Sequence, residues 1–392
     1  MEKRKRMTPN VKTTLQEHSR AKVEFYTTYL KRYLRIINRV SFIKHINIYD
    51  VFCGMGIYED GGKGSPVAAF EVVEELLQTD KELTDKITLF VNDIDKNKIE
   101  KLRQYINAKN GDNKVCKVEY FSLDVEDMFS LVAEKIKKSD SDTSNLVFID
   151  PYGYKNIRKE IISSIMIKRF TEIILFLPIV QMYRFTNKAI NSNKDETQYL
   201  PLKQFIESFF YEDHPMRHNE YGNILQYIEY IKQGLKIDSS YFTTSYYLER
   251  SKSHFFALFF ITKSLYGKEK ILEVKWELNE ESGKGFNLQQ PPSLFAEEFA
   301  KSEAESNYER LKAIIITALK KSALNNRQIY ALTLENDFLP KHTNMILRQL
   351  QNNSSIMVVN LETQKPARKG SFYINWDHYQ NYIPKISISL KQ

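Results

Sequence analysis

The sequence predicts an α/β protein: a Rossmann-like, doubly wound sheet with a helical insertion, followed by a small module of three helices and a basic hairpin. Three observations carry this. Between residues 46 and 177, short β-rich runs alternate with helical stretches, the pattern of parallel βαβ units. Between Met182 and Ser240 the alternation gives way to aromatic-rich helical pieces. Positive charge then gathers at the end: residues 301–392 hold 13 Lys+Arg against 7 Asp+Glu, while the preceding 300 residues hold 44 against 42.

Each element has its own signal. Val23, Phe25, Tyr26, Tyr29, Leu30, Tyr33, Leu34 and Ile37 recur at helical spacing, so residues 14–40 read as an amphipathic helix before the first strand. Strands are expected at 46–52, 87–91, 117–122, 146–149 and 172–177, with helices at 66–79, 95–107, 125–137 and 158–168. The insertion, about 182–240, carries helical pieces at 202–211 and 221–232. Two strands, 245–250 and 254–263, suit an antiparallel hairpin, and a helix follows at 268–278. Pro291-Pro292, Ser282-Gly283 and a short acidic stretch read as a linker, so the expected domains are 1–280 and 306–392, joined by 281–305. In the last domain helices are expected at 308–320, 325–334 and 340–351, with Pro340 in the first turn of the third. Strands at 357–360 and 371–375 would flank the basic loop 362–370, and three helices with a basic hairpin are the pattern of a winged helix-turn-helix.

Composition narrows the function classes. A chain of 392 residues with 42% hydrophobic and 27% charged residues has enough apolar material for two or three globular domains. Its two cysteines, Cys53 and Cys116, exclude a disulfide scaffold, a zinc ribbon and a self-contained iron–sulfur site. The seven histidines show no ligand spacing except for His214 and His218, four apart in a loop-like stretch and read as surface, so no metal is expected. The basic start MEKRKRMTPN precedes no apolar stretch, and the longest apolar runs fall short of a membrane span. The expectation is a soluble, cytoplasmic protein.

The chemistry is expected at the strand ends. Asp50-Val51-Phe52-Cys53-Gly54-Met55-Gly56 closes the first strand in a Gly-x-Gly turn, where backbone can approach a ligand too closely for any side chain. Asp93 closes the second strand, where an acid can accept hydrogen bonds from both ribose hydroxyls of a nucleoside cofactor. The absence of a full G-x-G-x-x-G favours a nucleoside cofactor without a pyrophosphate. Asp124 follows the third strand and reads either as a contact to an adenine amine or as a helix N-cap. Asp150-Pro151-Tyr152-Gly153 follows the fourth: the acid can accept from an amine while the ring stacks on its base, or the string is a strand-ending turn. In the last domain Lys341, Asn344 and Arg348 on the third helix would face a nucleic-acid groove, with Lys365, Arg368 and Lys369 on phosphates. A surface meeting protein instead remains open.

These strings resemble the class I S-adenosylmethionine-dependent methyltransferases. Residues 10–280, with the leading helix, DVFCGMG and its GGKGSP extension, FIDPYGY and the stretch from His254 to Leu278, look more narrowly like the bacterial three-Cys-motif partner proteins (TcmP). The resemblance implies S-adenosylmethionine as cofactor, with Asp50, Gly54 and Gly56 around its methionine moiety, Phe52 also among the cofactor-binding residues, Asp93 at the ribose and Asp124 near the adenine. Asp150, Pro151 and Tyr152 would face the methyl acceptor. It further implies a partner with a three-cysteine motif able to hold an iron–sulfur cluster. Amino-directed methyltransferases of nucleic acid carry Asp/Asn-Pro-Pro and an aromatic residue; here Tyr152 and Gly153 stand at the third and fourth positions. The expected function is methyl transfer to nucleic acid, DNA above all, or to a partner bound to it. The alternative is a non-catalytic docking module with a DNA-binding tail, serving as a regulator or a component of a defence assembly.

Overall fold

The computed structural model describes residues 15, 17–79, 85–110, 115–151, 153–192, 196–251, 254–280, 283–287 and 296–391. They fall into two units, residues 1–177 and 178–392.

In the first unit, runs rich in Ile, Leu, Val and Phe become strands because helices can cover both of their faces. The order along the chain is α1 (Glu17–Ile37), β1 (His45–Asp50), α2 (Ser65–Leu77), β2 (Ile87–Asn92), α3 (Lys96–Asn110), β3 (Lys117–Phe121), α4 (Val125–Lys138), β4 (Thr143–Ile149), α5 (Lys159–Ile165) and β5 (Thr171–Leu177). The strands pair in parallel in the order β3-β2-β1-β4-β5. Every residue of β4 and β5 is buried, whereas β3, at the edge, is largely half-buried. Asp50 pairs with Val91 on one side and Phe148 on the other, so the carboxyl ends of β2, β1 and β4 are level. The strand order reverses between β1 and β4, which is where sheets of this kind hold ligands.

The second unit begins with α6 (Ile179–Ile190), α7 (Leu200–Phe209), a 3-10 turn at Pro215–His218 and α8 (Ile224–Leu235). α6 is not among the expected elements. β6 (Phe242–Ser251) and β7 (His254–Thr262) form the expected antiparallel hairpin, followed by α9 (Leu265–Leu278) and β8 (Gly285–Asn287), which runs parallel to β6. Next come α10 (Ala296–Lys321), β9 (Leu324–Asn325), α11 (Asn326–Glu335), α12 (Pro340–Asn352), β10 (Ile356–Asn360), α13 (Trp376–Gln380) and β11 (Ile386–Leu390). Asn325 caps α11, accepting from the amides of Arg327 and Gln328.

Two expectations need correction. The helix expected from Tyr308 begins at Ala296, because residues 296–307 are mostly Glu, Ala, Ser and Lys, and Glu, Ala and Lys are strong helix formers. The helix thus takes up the end of the expected linker 281–305, of which 281–282 and 288–295 lie outside the described residues. The strand expected at 371–375 does not form. Phe372 and Ile374 are buried and alternate as in a strand, but Tyr373 between them takes φ 54, a value no ladder accepts. The hairpin closes earlier, with the Asn360 amide donating to the Lys365 carbonyl and that of Ala367 to Val358. β10 pairs instead with β11, in a three-stranded sheet of order β10-β11-β9.

Leu265, Leu272 and Trp276 of α9 share one core with Leu311, Ile315, Leu347 and Ile388 of the later elements. Beside it sits a charge cluster. Asp337, at φ 63 in the turn between α11 and α12, has Lys268 3.2 Å from Oδ1 and Lys232 and Lys275 3.3 and 3.6 Å from Oδ2. Burial alone would raise the Asp337 carboxyl, but the three lysines hold it far below the usual carboxylate range. Lys275 is 2% exposed, and burial lowers its ammonium to about 8.

Candidate active site

The turn after β1 is built on two glycines with left-handed backbones, Gly54 at φ +65 and Gly56 at φ +72. A Cβ on Gly56 would lie 2.6 Å from Leu102 Cδ1, so close packing adds to the backbone requirement there. A Cβ on Gly54 would meet nothing within 4 Å, so the space beside this glycine is open. Beyond the turn the Gly64 amide donates to the Gly56 carbonyl at 2.6 Å, folding residues 57–63 back and starting α2 at Ser65.

Asp50 ends β1 and is 2% exposed. Its Oδ2 accepts from the Ser65 hydroxyl at 2.5 Å, while Oδ1 is buried and accepts no hydrogen bond. Burial pushes this carboxyl up to about 7; the Ser65 hydroxyl and, more weakly, the Phe52 backbone amide oppose the shift, and the charges of Asp150 and Asp93 add to it. The buried Cys53 thiol is likewise raised, by burial first and then by Asp50 and Asp93. These couplings place the three strand-end acids in one electrostatic neighbourhood.

Asp93 is buried. Its Oδ1 accepts from the Asp95 amide at 2.9 Å, and Lys98 lies 3.4 Å from both oxygens. Asn92, just before it, ties three strand ends together: Nδ2 donates to the Val51 and Leu123 carbonyls, and Oδ1 accepts from the Leu123 amide. Asp124 caps α4, with Oδ1 accepting from the amides of Glu126 and Asp127 at 3.0 Å, so the capping alternative holds for that oxygen. Phe52 packs edge-on against Phe129 of α4, ring centres 6.2 Å apart.

The tip of β4 differs most from the sequence expectation. Asp150 does not stand free: its Oδ2 accepts from Lys22 Nζ of α1 at 2.6 Å, and that ammonium lies 3.9 Å over the Phe176 ring of β5. One turn along α1, Tyr26 stacks on Phe148 with ring centres 4.3 Å apart; its hydroxyl is buried without a hydrogen-bond partner and is raised by burial and by Asp50. Pro151 is half-buried, and Tyr152 lies outside the described residues. Lys22, Tyr26, Ser65 and Asn92 are thus site residues that sequence reasoning did not single out. Helical periodicity marked the inner face of α1 as core without saying what it meets.

In the second unit Lys341 and Arg348 project from the exposed side of α12, with Asn344 half-buried between them. Lys365, Arg368 and Lys369 are exposed on the loop after β10, and the Gly370 amide beside them donates to Gln351 Oε1 of α12 at 2.9 Å. Arg348 Nε lies 3.8 Å from where a Gly370 Cβ would stand, so helix and loop present their cations side by side.

An adenosyl sulfonium cofactor fits the first unit on three features. Asp50 Oδ1 is a buried acceptor without a donor, of the kind an α-ammonium group satisfies. The space at Gly54 admits a ligand against bare backbone. Asp93 offers two carboxylate oxygens at the tip of the adjacent strand. Among the described residues, no group of three His, Cys, Asp or Glu side chains is placed to hold a metal ion, and no helix is long and apolar enough to cross a membrane.

No family model matches the chain, and no curated protein matches it. Among solved structures it is similar to a putative O-methyltransferase from Klebsiella pneumoniae, at 12% identity and TM-score 0.32, over 60% of this chain and 80% of that one. It is also similar to the O-methyltransferase TomG from Streptomyces achromogenes, solved in complex with SAM, at 11% identity and TM-score 0.33, over 65% and 92%. A third is protein LPL1258 from Legionella pneumophila, at 14% identity and TM-score 0.38, over 65% and 89%.

Proposed function

We propose that the first unit is an S-adenosylmethionine-dependent methyltransferase and that the basic α12 and its adjoining loop, read as a winged helix, dock nucleic acid. The observation that carries the first half is the switch point: where the strand order reverses, β1 ends in a buried carboxylate with an unpartnered oxygen and runs, four residues on, into a glycine turn with open space beside Gly54. Asp50 would hold the cofactor's ammonium and Asp93 its ribose. When bound, the cofactor supplies an electrophilic methyl group, and the protein's task is largely to position the acceptor in line with it. The exposed cations on α12 and its loop support the second half, since phosphates are gripped by such clusters whatever the sequence or sugar. The three-Cys-motif partner belongs to the same proposal and rests on the sequence resemblance.

Titration calorimetry with S-adenosylmethionine is the deciding experiment. Binding by the wild type, weakened at least about tenfold in Asp93→Ala, is the expected outcome; no binding by the wild type ends the reading. One observation favours a non-catalytic docking module: Asp93 and Asp150 already carry lysine partners. On that alternative, nucleic acid binds and the cofactor does not.

A further inference from the structure

We infer that Lys22 and Asp150 form the acceptor half of this site and that the acceptor is a hydroxyl oxygen, which along a nucleic-acid chain means the ribose 2′-hydroxyl of RNA. The inference rests on the methyltransferase and nucleic-acid readings above and names the substrate class of that site.

An ammonium is costly to take out of water, yet Lys22 is only 8% exposed, drawn from α1 to the tip of β4. It has three N–H donors. One serves Asp150 and the face of Phe176 engages at most one more, so a donor is left for a ligand. A fixed cation beside a hydroxyl stabilises the negative charge that builds on its oxygen as the proton leaves, which makes it a better nucleophile. An amine acceptor fits less well: Asp150 Oδ2 is already taken by Lys22, and the Lys22 ammonium repels the positive charge an amine nitrogen gains on methylation. Asp150 Oδ1 is not engaged by Lys22, and the side chain keeps 23% of its surface open to solvent. The balance follows. The hydroxyl oxygen bonds to the methyl carbon, the carbon–sulfur bond breaks with its electron pair on sulfur, and the hydroxyl proton passes to Asp150 Oδ1 and on to water. Inside a nucleic-acid chain the only hydroxyl is the ribose 2′-OH, which DNA lacks.

The test uses the full chain, S-adenosylmethionine labelled in its methyl group, and a short single-stranded RNA beside DNA of the same sequence. Products are digested to nucleosides and the label is located by mass spectrometry. Label on the RNA ribose oxygen and none on DNA is expected, with transfer lowered about a hundredfold in Lys22→Met. A second readout needs no turnover: with S-adenosylhomocysteine present, the wild type binds the RNA about tenfold more tightly than the DNA, and Lys22→Met removes that preference. Lys22→Arg keeps the charge and retains the preference, which guards against a folding defect in Lys22→Met. Label on a base nitrogen or on DNA, no label on either nucleic acid, or wild-type transfer by Lys22→Met overturns the inference. If the wild type binds S-adenosylmethionine, any of these outcomes sinks the acceptor assignment alone; if it does not, the methyltransferase reading fails first.

Discussion

Asp50, buried in the first unit, and Asp337, half-buried in the second, are both carboxylates largely withdrawn from water, and the chain surrounds them in opposite ways. Around Asp337 stand three lysines, and its carboxyl is driven far down. Around Asp50 stand a serine hydroxyl and two further acids, and burial drives its carboxyl up to about 7. The first arrangement satisfies a charge and joins α8 and α9 to the turn after α11. The second leaves a charge unsatisfied, at a cost that folding alone does not explain but a cationic ligand would. Burial by itself therefore says little about a carboxylate's role; what the fold brings to face it says much more.

The largest expected effect breaks the structural half of this pair. Asp337→Asn leaves Lys268 and Lys275 buried without a counter-charge and should cost about 3 kcal/mol, read as a lowered midpoint in urea unfolding. Asp50→Asn should leave that midpoint unchanged or raise it, because the amide still accepts from Ser65 and carries no charge, while S-adenosylmethionine affinity falls at least about tenfold. Equal destabilisation by the two substitutions would end the comparison.

Acid and base act on the two sites with opposite signs. The folded value of Asp337 lies below its unfolded value of about 3.9, so its contribution is present above about pH 4 and is lost as pH falls further. The folded value of Asp50 is raised to about 7, so its contribution is present below about pH 4 and is lost as pH rises through 7. If a ligand ammonium pairs with the ionised form, cofactor affinity climbs through about pH 7 in the wild type and is flat in Asp50→Asn. Calorimetry across that range distinguishes the two profiles.

Two smaller effects sharpen the contrast. Gly54→Ala forces a side chain to φ +65, at about 1 kcal/mol, and puts a methyl group into the open space; cofactor affinity should fall more than stability. Arg368→Ala combined with Lys369→Ala should change stability by under about 0.5 kcal/mol. It should reduce the salt slope of nucleic-acid binding by about two, which titrations at several salt concentrations would measure.

Much of the architecture was legible in the chain because βαβ units write themselves locally. β2 and α4 fall within a residue of their expected bounds, and Asp50, Asp93 and Asp124 stand at strand ends as periodicity placed them. The strand expected at 371–375 fails because buried residues alternate there without a ladder, and only the backbone angle of Tyr373 distinguishes the two cases. Nothing local in the chain marks Lys22, or Asp337 and its lysines, because their partners lie far away in sequence.

The order of the elements, the glycine turn and the acids at the strand tips were set by the sequence alone, since each depends on neighbours a few residues away. Which acid is neutralised and which is left wanting a cation was decided only by the tertiary structure. Lys22 meets Asp150 across 128 residues and Lys232 meets Asp337 across 105, and a charge's energy depends on what lies within a few ångströms in space, wherever it sits in the chain.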